Sequence, residues 1–317
     1  MEPLIQTIDL KKYFKTPAGF LHAVDGVNIS INKGQTIGIV GESGCGKSTL
    51  GRLVLRLIEP TGGQVLFEGE NILKFKKDRL KELRRNMQII FQDPYASLNP
   101  RMTVSEIIAE PIIVSGTLAK TNEINQKVFS LMDKVGLAAR LVNAYPHELD
   151  GGRRQRIGVA RALALDPKFI VCDEPVSALD VSIQAQIINL LMDLQDETGL
   201  TYMFITHDLS VVKHISDDIA VMYLGQCVEK APTKALFQNP LHPYTKALMQ
   251  AIPVASISSR NKKLEVLKGE VTSPINMKPG CRFKARCNMA KDDCSGCDLP
   301  LVEVEKNHFV ACRYVNA

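Results

Sequence analysis

The sequence predicts an α/β fold built on a mainly parallel sheet, and three observations carry that prediction. Strand-like apolar stretches alternate with stretches whose apolar residues recur at helical spacing. Residues 168–175 (KFIVCDEP) form a near-uninterrupted apolar run between Pro167 and Pro175, which suits a parallel strand covered on both faces. A Gly-rich turn joins an apolar strand to a helix over residues 35–58. The chain has 317 residues, 45% hydrophobic and 23% charged, with 21 Gly and 16 Pro. That length holds one large domain plus an appendage, or two domains. The composition excludes collagen-like, coiled-coil and wholly disordered chains.

Each element follows from local pattern. The β-branched stretches IQTIDL, AVDGVNISI and QTIGIVG read as strands broken by glycines. Leu50, Leu53, Val54 and Leu57 then fall on one helical face. After Pro60 and the turn Thr61-Gly62-Gly63 come the strand QVLFEG, a basic helix and the strand MQIIFQ. The stretch DPYASLNPRMT, with two prolines, reads as a loop leading to helical segments over 103–143. A helix from Gly151 stops at Asp166-Pro167, before the apolar strand. The helix QAQIINLLMDLQDE, the strand TYMFITH, the helix LSVVKHIS and the strand DIAVMYLG continue the alternation. Past residue 231, Pro232, Pro240, Pro243, Pro253, Pro274 and Pro279 punctuate short segments. The expected organisation is a main domain over 1–255, with a helical subdomain at about 95–165, and an accessory segment over 256–317.

The net charge of +5 is local, because residues 72–87 hold seven Lys or Arg and two acids. With Phe75 its sole aromatic residue, the run reads as a solvated helix and no nucleic-acid partner is expected. No apolar run reaches the roughly 18 residues that span a bilayer, and the first thirty residues lack a signal peptide's apolar block. The chain therefore reads as cytosolic. In that reducing compartment five clustered cysteines, spaced C-x5-C-x6-C-x2-C-x14-C from Cys281 to Cys312, point to a metal site more than to disulfides. Only Cys294 and Cys297 have zinc-knuckle spacing, so the irregular set suits a [4Fe–4S] cluster better than Zn²⁺. Plain buried or surface thiols are the alternative.

Gly41, Glu42, Ser43, Gly44, Cys45, Gly46, Lys47 and Ser48 match the phosphate-binding pattern G-x-x-x-x-G-K-[ST] between strand and helix. Glycines let backbone N–H groups face phosphate oxygens. Lys47 is then expected to reach the β and γ phosphates, and the Ser48 hydroxyl to ligate Mg²⁺. Asp173 and Glu174 end the apolar strand, where ligands bind in such sheets, so Asp173 suits the Mg²⁺ shell and Glu174 the attacking water. Together these motifs indicate a nucleoside triphosphatase.

The order of the phosphate loop with Thr49, Gln92, Leu149-Asp150-Gly151-Gly152-Arg153, Asp173-Glu174, Ser177-Ala178-Leu179-Asp180 and Thr206-His207-Asp208 resembles the ATPase subunits of ABC transporters along essentially the whole chain. The resemblance implies that Tyr13 stacks on adenine, Gln92 senses Mg²⁺ and Glu174 is the catalytic carboxylate. It also implies that Asp180 lies in a loop exchanged across an ATPase dimer, while His207 touches the γ phosphate. The stretch Asp93-Pro94-Tyr95-Ala96-Ser97-Leu98-Asn99-Pro100-Arg101 and His242-Pro243-Tyr244-Thr245 narrow the likeness to the F-type subunits of dipeptide and oligopeptide importers, with nickel importers sharing much of the pattern. What it implies is an ATP-hydrolysing subunit on the cytoplasmic membrane face. Its partners would be a paralogous D-type ATPase and two transmembrane permease subunits, served indirectly by an extracytoplasmic peptide-binding protein. A soluble, non-transport ABC-type ATPase is the rival reading; it usually needs paired ATPase domains or long coiled coils, and this chain has one phosphate loop and no sustained heptads.

Two details depart from or extend the pattern. Asp150 stands where such signatures commonly carry Ser, and an ionised carboxylate repels a phosphate by up to about 4 kcal/mol at ~4 Å and effective ε near 20. The composite ATP site using this signature is therefore expected to be weak, unless Asp150 turns away. The likeness of the C-terminal segment selects Cys281, Cys287, Cys294 and Cys312 as [4Fe–4S] ligands and leaves Cys297 as the extra thiol.

Overall fold

A computed structural model describes residues 2–251 and 273–315. The expected boundary at 255/256 falls outside the described residues. The described residues form two compact units: residues 32–35 with 74–205, and residues 2–31, 36–73, 206–251 and 273–315.

The second of these units carries two groups of strands. β1 (Ile5–Thr16), β2 (Gly19–Ile31), β4 (Gly62–Phe67) and β5 (Glu70–Asn71) make an antiparallel sheet in the order β2-β1-β4-β5. β1 and β2 run well past the apolar stretches that announced them, because a tight connection at Gly19 lets the two strands pair to their ends. Elsewhere in the unit β3 (Thr36–Val40) lies parallel to β9 (Asp218–Tyr223). β3 is buried at every residue, which fits its unbroken apolar pattern. β10 (Gln226–Pro232), β12 (His308–Val310) and β11 (Val302–Glu305) extend this group antiparallel beyond β9. The helices α1 (Lys47–Val54), α8 (Leu209–Ile215), α9 (Thr233–Gln238) and α10 (Pro243–Gln250) complete the unit. Leu50, Leu53 and Val54 are buried as their spacing predicts. Leu57 lies beyond the helix end and is 48% exposed, so the expected apolar face is one turn too long.

The C-terminal segment joins its unit through a buried carboxylate. Glu229 on β10, fully shielded, accepts from the N–H groups of Leu241 and His242 at 2.8 and 2.9 Å and meets His308 Nε2 at 2.7 Å. One acid thereby satisfies the start of α10 and the tail strand together, as a buried charge requires. Burial also drives the His242 imidazole down to about 4, so it stays neutral and accepts from Tyr244 N–H at 3.1 Å, capping α10.

The other unit holds the parallel strands β6 (Met87–Ile90), β7 (Phe169–Asp173) and β8 (Thr201–Thr206) in the order β6-β7-β8. Its helices are α2 (Lys77–Asn86), α3 (Pro94–Ser97), α4 (Val104–Ser115), α5 (Thr121–Lys134), α6 (Gly151–Leu163) and α7 (Val181–Thr198). α2 is the basic run and buries only Leu83, as a solvated helix should. The expected loop after Gln92 contains the short helix α3, started by Pro94 at its first position and capped by Asp93, whose carboxylate accepts from Tyr95 N–H at 2.7 Å.

Candidate functional site

Between β3 and α1 the chain must turn sharply, and the turn admits only glycine at two positions. At Gly41, φ is +152° and a Cβ would stand 2.2 Å from Met222 O; at Gly46, φ is +104° and a Cβ would stand 2.0 Å from Ala23 O. Ser43 and Gly44 are exposed at the crown of the turn, while Ser48 and Thr49 lie half-buried on the first turn of α1. Cys45 packs inward, and burial raises its thiol, which makes it a packing residue of the loop. Lys47 is 4% exposed and donates from Nζ to Gly41 O at 2.8 Å and Glu42 O at 3.1 Å. A curled backbone around a held ammonium is a cradle for a polyphosphate. The sequence reading missed what holds this cradle from outside. Tyr244, fully buried on α10, accepts the Glu42 N–H at 2.9 Å, and Arg286 grips the Glu42 carboxylate through both terminal nitrogens.

In the same unit Tyr13 is half-buried on β1, its ring stacked on His22 with centroids 4.1 Å apart, so one face is already covered. Its hydroxyl donates to Asp25 Oδ1 at 2.5 Å. Burial pushes the Asp25 carboxyl up, but hydrogen bonds from Tyr13, His22 and Arg282 outweigh it and hold the group below its ordinary range. His207 follows β8 and is exposed; Asp208 beside it caps α8 by accepting Ser210 N–H at 2.7 Å.

In the other unit Asp173 ends β7 and is 3% exposed. Glu174 follows at φ +48°, a left-handed conformation that turns the chain off the strand. Its N–H donates to Ile205 O at 2.9 Å, Ser177 Oγ donates to its carbonyl at 3.1 Å, and Gln92 Nε2 donates to its Oε2 at 2.8 Å. The structure thus brings Gln92 and Glu174 together, a contact that neither motif announces alone. Asp180 caps α7 by accepting Ile183 N–H at 3.0 Å, and Gln184 ties the preceding loop through Val176 O and Leu179 O.

The signature sits at the start of α6. Asp150 is the N-cap: its carboxylate accepts Arg153 N–H at 2.8 Å and pairs with the Arg153 guanidinium at 3.3 Å. The carboxylate thus folds onto its own helix end, where Ser would cap equally well but without charge. Gly152 is buried, and a Cβ there would stand 2.7 Å from Ile183. Two α6 arginines, unassigned by the sequence reading, reach the loop after Gln92. Arg154 lies 3.8 Å over the Tyr95 ring, and Arg161 donates to Ser97 O at 2.6 Å. The arginine-rich run after Asp150 was the available signal.

The cysteine-rich segment corrects an expectation. Cys281 N–H donates to Cys294 O at 2.8 Å, whereas Cys297 is exposed and bonded to Arg313. Yet among the described residues no group of three or more His, Cys, Asp or Glu side chains is arranged to hold a metal ion. A [4Fe–4S] cluster, or Zn²⁺, is therefore not supported by the arrangement of Cys281, Cys287, Cys294 and Cys312. Burial pushes the Cys281 thiol up to about 11 and raises that of Cys287.

Comparison with known proteins gives a consistent picture. The family model "ABC transporter" matches residues 24–177, and "Oligopeptide/dipeptide transporter, C-terminal region" matches residues 228–294. The chain is 52% identical to the oligopeptide transport ATP-binding protein OppF of Salmonella typhimurium, over 96% of this chain and 92% of that protein. It is 47% identical to the dipeptide transport ATP-binding protein DppF of Escherichia coli, over 99% and 95% respectively. Among solved structures it is similar to cbiO1 of Clostridium perfringens, part of the ABC transporter complex cbiONQ, with a TM-score of 0.67, 27% identity and coverage of 75% and 92%. The ATP-binding cassette MJ0796, solved as a dimer bound to ADP and Pi, gives a TM-score of 0.66 at 30% identity, covering 72% and 98%.

Proposed function

This chain belongs to the ABC transporter family, among the ATP-binding proteins of oligopeptide and dipeptide transport, and on that premise we propose that it hydrolyses MgATP to power a peptide-importing permease. The single observation that carries the chemistry is the turn of Gly41 to Gly46 closed around the Lys47 ammonium. In this reading Lys47 and the loop N–H groups bind the β and γ phosphates, and Tyr13 offers its free face to adenine. Ser48, Asp173 and Gln92 offer oxygen donors, the hard ligands that suit Mg²⁺, which when bound neutralises phosphate charge. Glu174 orients and deprotonates the attacking water, Gln92 holds its carboxylate, and His207 donates to the γ phosphate. Asp150, Gly151, Gly152 and Asp180 serve a second ATPase subunit, read as a D-type paralogue, beneath two permease subunits on the cytoplasmic membrane face. No described helix is long and apolar enough to cross a membrane. The test is reconstitution with permease subunits and a peptide-binding protein in vesicles. Peptide-stimulated ATP turnover is expected; turnover indifferent to peptide and permease would overturn the transport reading.

Asp150→Ser is expected to raise ATP turnover of the assembled complex about threefold, because the cap stays and its charge leaves the helix end. Turnover unchanged within error would leave Asp150 a plain cap. A finer reading keeps Cys281, Cys287, Cys294 and Cys312 as ligands of a [4Fe–4S] cluster, supported by their spacing and by the separate pairing of Cys297 with Arg313. Anaerobically purified protein should then contain iron, retained in Cys297→Ser and lost in Cys294→Ser. Iron-free, colourless protein would sink that reading.

A further inference from the structure

The segment that carries the cysteines also carries two buried arginines, and both end on groups beside the nucleotide loop. Arg282 and Arg286 are 5% and 7% exposed at their side chains. Arg282 donates to Leu224 O and to the Asp25 carboxylate that holds the Tyr13 hydroxyl. Arg286 forks onto Glu42, with its two terminal nitrogens 2.8 and 3.0 Å from the two carboxylate oxygens, and reaches Tyr223 Oη at 3.4 Å. Between the two arginines Phe283, 2% exposed, packs on Tyr223 and on Tyr244, whose hydroxyl accepts the Glu42 N–H. Upstream, Asn276 fastens the segment to the β1–β2 connection through Phe20 N–H and Ala18 O.

We propose that Arg286 is a positioning residue for nucleotide binding, acting through Glu42. Glu42 places a carboxylate in a loop whose task is to receive a polyanion. Arg286 neutralises that charge and fixes the carboxylate, and a bidentate guanidinium pair does this with fixed geometry. Arg286 is 7% exposed and Glu42 25%, so loss of the arginine leaves a partly shielded, uncompensated charge within the phosphate loop itself. The inference rests on the phosphate-loop reading above and adds a residue outside every ATPase motif of the chain.

The test measures nucleotide affinity of the full chain for MgATP, MgADP and adenosine. Arg286→Gln is expected to weaken MgATP and MgADP about tenfold and to leave adenosine unchanged, since adenosine carries no phosphate to repel. Arg286→Lys, which keeps the charge and loses the fork, is expected to lose about threefold. In a Glu42→Gln background the Lys substitution is expected to cost nothing, because the carboxylate it served is gone. Equal losses for adenosine and MgATP, or an undiminished Lys penalty in the Glu42→Gln background, would mark Arg286 as purely structural. If wild type itself failed to bind MgATP the phosphate-loop reading would fall with it; if wild type binds and Arg286→Gln binds equally well, this inference alone falls.

Discussion

Replacing Glu174 by Gln is expected to stop ATP turnover while MgATP binding survives. Gln keeps the length and volume of the side chain, and its carbonyl can still accept from Gln92 Nε2, now 2.8 Å from the carboxylate. What it loses is the ability to take a proton from water and the negative charge that orients it. A positioned general base contributes about 10²–10⁴ in rate, so turnover of the assembled complex should fall at least about 100-fold. The backbone at φ +48° is held by its own N–H to Ile205 and by Ser177, neither of which involves the carboxylate, so the turn off β7 should persist. Steady-state phosphate release and nucleotide affinity on the same preparation check this. Turnover above a tenth of wild type would take the base role from Glu174; lost MgATP affinity would give it a binding role instead.

The division between what could and could not be read from residues follows range of interaction. β3, β7 and β8 are buried at every position and their runs declare themselves, because a strand covered on both faces needs only apolar residues. The turn from Gly41 to Gly46 was equally legible, since its glycines answer to local φ values. By contrast, the grip of Arg286 on Glu42 joins residues 244 positions apart, and that of Asn276 on Ala18 joins residues 258 apart. No periodicity encodes such pairs. The tail strand at His308–Val310 was missed for the same reason: three residues announce nothing until Glu229 and β10 supply their partners. The role of Asp150 lay between these cases. Its charge was visible, but whether the carboxylate faced a phosphate or its own helix depended on the Arg153 N–H three residues on.

Lys47→Ala is expected to abolish nucleotide binding with less effect on the fold. The Nζ group, in a side chain 4% exposed, donates to Gly41 O and Glu42 O, so the ammonium rests on the loop it serves. Those carbonyls are modest partners for a buried charge, and a β or γ phosphate offers full anionic oxygens instead; binding therefore amounts to a change of partner. Alanine removes the charge and leaves the loop with its N–H groups alone. Charge-assisted contacts to two phosphates, at about 1.5–3 kcal/mol each, predict an affinity loss of about 100-fold or more. The two carbonyls lose their donor, yet the Gly41 to Gly46 turn and the Tyr244 contact to Glu42 N–H do not depend on the lysine, so the unfolding temperature should drop by only a few degrees. Calorimetric titration with MgATP beside a thermal melt separates these effects. MgATP affinity within threefold of wild type would show that the turn binds phosphate through its backbone alone and would move Lys47 from binding to catalysis.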